Sequence, residues 1–132
     1  MDTLVFKQSL AKQTDHLYFM SESEYPFEVL DWGKLTTDEI KAAVAGSYPP
    51  GAPIVNIPAA EFFQKTIRNF QLSEDEQMKT IARRYKELET FISSNSSGAT
   101  VWRCGKIEVG VFIVITAKDG TVIVLKTTSI ET

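Results

Sequence analysis

The chain has 132 residues, 43% of them hydrophobic and 23% charged, with 14 basic against 17 acidic side chains for a net charge of −3. That length suits one compact domain over residues 1–132, in which folding removes roughly two thirds of the unfolded surface from water, so neither disulfides nor a structural metal are required. The acidic balance opposes attraction to phosphate, the single cysteine Cys104 excludes an internal disulfide, and no apolar run is long enough to span a bilayer.

The first residues, MDTLVFKQSLAKQTDH, lack a basic region followed by an uninterrupted apolar run, so no secretory signal is expected. The expectation is a soluble, cytoplasmic protein with no direct nucleic-acid partner and no membrane partner. Its Cys104 should lie in a strand as a small buried hydrophobe in a reducing compartment.

In chain order, residues 3 to 14 form the first predicted helix behind Asp2, with Leu4, Phe6 and Leu10 as an incomplete apolar stripe. From Leu17 to Trp32 the character changes. Pro26 disfavours helical geometry at Tyr25, and Phe27, Val29 and Leu30 can feed a strand, so this segment is expected to cross the domain as extended chain. Thr36 and Glu39 have capping-box spacing, which predicts a helix over 37–45 ended by Gly46. The turn-rich SYPPGAP then leads into Ile54, Val55 and Ile57, and Pro58 suits the first turn of a helix around Glu61, Phe62 and Phe63.

The strongest periodicity predicts a helix from Glu74 to about Ser93, where Met78, Ile81, Ala82, Tyr85, Leu88, Phe91 and Ile92 recur at helical spacing behind a second capping box of Ser73 and Glu76. SSNSSG should break that helix. Gly105, then Lys118, Asp119 and Gly120, separate three strand-like runs, Thr100–Cys104, Lys106–Thr116 and Thr121–Thr127, which two consecutive hairpins would connect. Ile107, Val109, Val111, Ile113 and Ile115 line one face of the middle run while Phe112 and Val114 make the other apolar. Such a strand belongs at the centre of a sheet covered on both sides. Helices first and antiparallel strands last indicate an α+β layered domain rather than repeated βαβ units.

The most unusual chemistry lies in Ser21, Glu22, Ser23, Glu24, Tyr25, Pro26, Phe27 and Glu28, where three carboxylates and two hydroxyls adjoin an aromatic-proline pair. In extended chain Glu22 and Glu24 project on one face. Two carboxylates on a stiff protruding segment imitate the charge of a phosphodiester, and oxygen ligands of this kind suit a hard cation such as magnesium. The same composition also describes a solvated acidic turn.

An enzyme is disfavoured. His16 is the only histidine, no nucleophile is spaced with a base, and Glu22 with Glu24 lack the opposed placement that hydrolysis across a bond needs. Lys79, Arg83, Arg84 and Lys86 alternate with Glu76, Glu87 and Glu89 as a mixed solvated helix face, and Trp32 and Trp102 read as packing residues. No catalytic residue and no cofactor are expected.

LYFMSESEYPFEVLDW, Leu17 to Trp32, resembles the signature segment of the nuclease A inhibitor family. Phe62 and Phe63, the acidic run Glu74, Asp75, Glu76 opening a long helix, the Gly105 hairpin and the final Glu131 and Thr132 follow in the same order, so the resemblance covers most of the chain. It implies a three-layer α/β/α sandwich with a central, mainly antiparallel sheet. It further implies binding to a sugar-non-specific, magnesium-dependent ββα-metal nuclease whose active site the inhibitor covers. By position Glu22 is the residue that approaches the nuclease's magnesium in trans, with Ser21, Ser23 and Glu24 flanking it. The free carboxylate of Thr132 would meet a basic active-site residue. The chain departs from the family pattern ahead of the long helix, where a tryptophan gives way to Phe70, Gln71 and Leu72. Phe70 would replace it if it points outward, and Leu72 and Asp75 complete the expected nuclease-binding set. From the residues alone, a protein-interaction module of the same fold with a non-nuclease partner stands as the alternative.

Overall fold

A computed structural model describes residues Met1–Thr132. In chain order the elements are α1 (Thr3–Thr14), β1 (Tyr18–Met20), β2 (Glu24–Pro26), β3 (Glu28–Gly33), α2 (Thr37–Ala45), β4 (Ile54–Pro58), α3 (Ala59–Gln71), α4 (Glu76–Asn95), β5 (Ser96–Cys104), β6 (Glu108–Ala117) and β7 (Val122–Ile130). Five strands form one antiparallel sheet in the order β3-β7-β6-β5-β4, while β1 and β2 pair separately as a short hairpin.

Strand β6 is the middle strand, as its two apolar faces predict. Its Val109, Val111, Ile113 and Ile115 enter a core shared with Phe6 and Leu10 of α1, Phe62, Phe63, Ile67 and Phe70 of α3, and Ala82, Tyr85, Leu88 and Ile92 of α4. On the opposite face Phe112 and Val114 meet Val44 of α2, Trp102 and Cys104, with Trp32, Ile40 and Tyr48 packed around them. Three helices on one side of the sheet and α2 on the other make the α+β sandwich. Cys104 is buried with its thiol free. No helix is long and apolar enough to cross a membrane.

Local chemistry sets the helix ends. Asp2 caps α1 by accepting from the Val5 amide at 2.8 Å, and the Thr36–Glu39 capping box opens α2 with both reciprocal bonds made. Two other helix starts are displaced from their expected positions. Pro58 ends β4 and stands as the N-cap of α3 instead of entering its first turn. The Ser73–Glu76 box does not form, because the Asp75 carboxylate takes the Gln77 amide at 2.8 Å and Ser73 only accepts from Asp75. A charged cap gains from the positive end of the helix, so α4 begins at Glu76.

SSNSSG breaks the long helix as expected, but β5 begins within that segment at Ser96, ahead of the expected start at Thr100. Helix α4 runs to Asn95 and β5 starts at Ser96, where a register shift between Ser96 and Gly98 absorbs the change of direction. Pairing with β6 supplies these backbone groups with partners that polar loop residues lack on their own. Ile107 also departs from its expected place in the middle strand's core face. Gly105 turns the chain at φ +117, where an added Cβ would lie 2.3 Å from the Glu108 carbonyl oxygen, and β6 begins only at Glu108. Ile107 therefore rides on the turn, 61% exposed.

The C-terminal end of α1 is held from a distance. Arg84 donates to the carbonyls of Gln13, Asp15 and His16 at 3.0, 2.7 and 3.2 Å, meeting an acceptor that the helix leaves open at Gln13 and two more just past its end. Arg84→Met keeps much of the stem and removes all three bonds. It is expected to lower stability by about 1–2 kcal/mol, seen as a lower urea midpoint at unchanged slope.

Candidate functional site

Segment 17–32 does not cross the domain as one extended chain. It doubles back, with Tyr18 opposite Pro26 and Met20 opposite Glu24, leaving Ser21, Glu22 and Ser23 at the tip. The hydroxyl residues close that tip themselves: the Ser21 amide donates to the Ser23 carbonyl at 2.9 Å, and the Ser23 amide reaches back to the Ser21 hydroxyl. Because Glu22 lies in the turn and Glu24 in β2, the same-face alternation of an extended strand does not apply to the pair.

The tip is fastened to the end of β7. The Ile130 amide donates to Ser21 Oγ at 2.9 Å, and the Glu22 amide to the Ile130 carbonyl at 3.4 Å. Beyond the strand, the Thr132 amide donates to Glu22 Oε2 at 2.9 Å and the Thr132 hydroxyl to the same carboxylate at 2.6–2.7 Å. The Thr132 hydroxyl, and secondarily its amide, hold the Glu22 carboxyl below its ordinary value. At its base the hairpin is held by the Tyr85 hydroxyl donating to the Tyr18 carbonyl at 2.7 Å and by Thr127 donating to that of Tyr25.

Glu131 looks the other way. Its amide donates to the Ile107 carbonyl at 2.8 Å, and its carboxylate accepts from the Ser129 hydroxyl at 2.7 Å and pairs with Arg103 of β5. One end of the sheet therefore gathers the acidic tip, the last residues of the chain and the β5–β6 turn.

The structure separates the remaining candidates. Phe70 does not point outward: it is only 7% exposed and stacks on Tyr85 at 5.7 Å between ring centroids. Helix α3 runs to Gln71 and so includes Phe70 and Gln71, which keeps Phe70 on the apolar stripe that faces the core. Leu72, at the helix end, is 78% exposed. Asp75 is exposed and occupied as the cap of α4. Between this corner and the acidic tip lies a cleft of about 590 Å³, with Phe19, Met20, Phe62 and Phe70 in its floor and Lys65, Ser73 and Arg103 at its rim.

Arg103 and Ile107 escape sequence reasoning as members of this site. A signal for Arg103 exists: strand alternation puts it on the same face as Ala99 and Val101, where a charge requires a partner. No three His, Cys, Asp or Glu side chains cluster in a way that would hold a metal ion. Glu22 is a hard oxygen donor whose carboxylate offers more acceptor positions than Thr132 fills.

A family model described as nuclease A inhibitor-like protein matches residues 5–132. No curated protein matches the chain.

Proposed function

The chain belongs to the nuclease A inhibitor-like family, and from that membership we propose that it is a stoichiometric protein inhibitor of a sugar-non-specific, magnesium-dependent ββα-metal nuclease. The observation that carries the reading is the exposed Glu22 carboxylate fastened to Thr132 at the hairpin tip. In this reading Glu22 offers an oxygen to the magnesium held by the nuclease, and the Thr132 carboxylate meets a basic group beside it. Ser21 and Ser23 shape the tip, while Glu24 and Asp75 extend a negative field toward a surface built for phosphodiesters. Leu72 is the outward apolar contact in place of Phe70, which supports it from the core.

Preorganisation is the physical advantage. A flexible acidic loop would lose conformational freedom on binding, whereas this tip is already held by bonds to β7 and Thr132. Residues 1–132 act as one inhibitory domain without catalysis or a cofactor of their own, and the buried free thiol of Cys104 suits work in the reducing cytoplasm.

The test is cleavage of plasmid DNA by a magnesium-dependent ββα nuclease titrated with this protein. Cleavage should stop near one equivalent; undiminished cleavage across a panel of such nucleases would contradict the reading. A short Gly-Ser extension after Thr132 moves the free carboxylate away from Glu22. It is expected to weaken inhibition by about tenfold or more while leaving unfolding unchanged, and the same extension before Met1 should do neither.

A further inference from the structure

We propose that Arg103, Glu131 and Ser129 form a positioning clasp that holds Thr132, and through it the Glu22 carboxylate, in a fixed place. The inference builds on the reading of Glu22 and Thr132 as the contact surface. None of the three residues needs to touch a partner; each acts through its neighbours.

The last sheet pairing of β7 is Ile130 opposite Glu108, so Glu131 and Thr132 lie past the ladder, where a chain ordinarily frays. Extended-chain alternation sends Ile130 and Thr132 toward the hairpin tip and Glu131 toward the β5–β6 turn. The bonds between Thr132 and Glu22 are exposed and compete with water, which makes them a weak restraint if nothing else holds the chain.

Glu131 supplies that restraint. Its amide is bound to the Ile107 carbonyl, and its carboxylate is shared by the Ser129 hydroxyl and the Arg103 guanidinium. Arg103 is a rigid post, since β5 is paired on both sides, with Val55 of β4 and Val111 of β6 opposite it. The side chains of Arg103 and Glu131 are 28% and 42% exposed, so solvent screens their pairing less than it would a fully exposed pair. The interior of the sheet thereby fixes a residue that has left the sheet, and the acidic tip takes its geometry from it.

Amide hydrogen exchange in the free protein, read by NMR, tests the clasp without any nuclease. Arg103→Met and Glu131→Gln are each expected to speed exchange at Thr132 by about tenfold or more, with cooperative unfolding retained. The reversed pair Arg103→Glu with Glu131→Arg should restore most of the protection, a recovery that mere loss of packing does not give. Unchanged Thr132 exchange in both single variants overturns the clasp, as does failure of the reversed pair to recover. Nuclease inhibition measured on the same proteins should fall and recover in parallel. If Thr132 loosens while inhibition persists, the clasp stands and the assignment of Glu22 and Thr132 as the contact falls instead.

Discussion

Glu22→Ala is expected to weaken nuclease inhibition by on the order of 100-fold or more while leaving the unfolding transition nearly unchanged. The substitution removes the only carboxylate of the tip, the one bonded to Thr132, and with it the hard oxygen that the proposed mechanism offers to the nuclease's metal. It also frees Thr132, so two elements of the proposed contact are lost at once. The fold loses little, because Glu22 is exposed at a turn and packs into neither core.

Glu22→Gln separates charge from shape. The amide keeps one acceptor oxygen and the side-chain length, so it can still accept from Thr132, but it is a poor partner for a divalent cation. Inhibition by Glu22→Gln should fall close to that of Glu22→Ala, with Thr132 partly held. Titration of cleavage by both variants reads this directly, and inhibition equal to the parent protein by Glu22→Ala would remove the metal contact from the mechanism.

Tyr85→Ala carries the largest expected cost in stability, about 4 kcal/mol. The side chain is fully buried, stacks on Phe70, and meets the edge of Phe27 at 6.1 Å between centroids. Its hydroxyl is the bolt at the base of the acidic hairpin, and burial pushes the phenol upward, so it donates to the Tyr18 carbonyl as a neutral group across the working range. Against a typical total stability of roughly 5–15 kcal/mol, such a loss brings the protein near its threshold.

Tyr85→Phe isolates the bolt. It keeps the ring and leaves the Tyr18 carbonyl without its donor, for an expected loss of about 1–2 kcal/mol. Urea denaturation of the two variants gives both numbers, and a change below about 1 kcal/mol for Tyr85→Ala would contradict the packing described around α4. Tyr85→Phe should also reduce inhibition modestly, since the hairpin that presents Glu22 loses a tie at its root.

What was legible in the sequence is what depends on near neighbours. The α2 capping box needed only Thr36 and Glu39, and the central position of β6 followed from Phe112 and Val114 alternating with Val111 and Ile113. What was not legible depends on partners far along the chain. Glu22 and Thr132 stand 110 residues apart and Arg103 and Glu131 stand 28 apart, and no local pattern signals either pairing. Phe70 misled because whether α3 continues through it decides whether it faces the core, and element ends are the least determined by composition. Ile107 misled because its apolar character fits a strand, while the turn at Gly105 leaves it one residue short of the ladder.

The position of β7 bears on how the chain acquires its shape. Strand β7, which follows the other six strands along the chain, lies between β3 and β6. Until it emerges from the ribosome, β3 has no sheet partner and the hairpin tip has nothing to fasten to. Joining pieces so distant requires closing long loops before any contact rewards it, which slows folding relative to a topology built from local contacts. Fold and acidic surface should therefore mature together in a late step, and a nascent chain lacking its final strand should present neither.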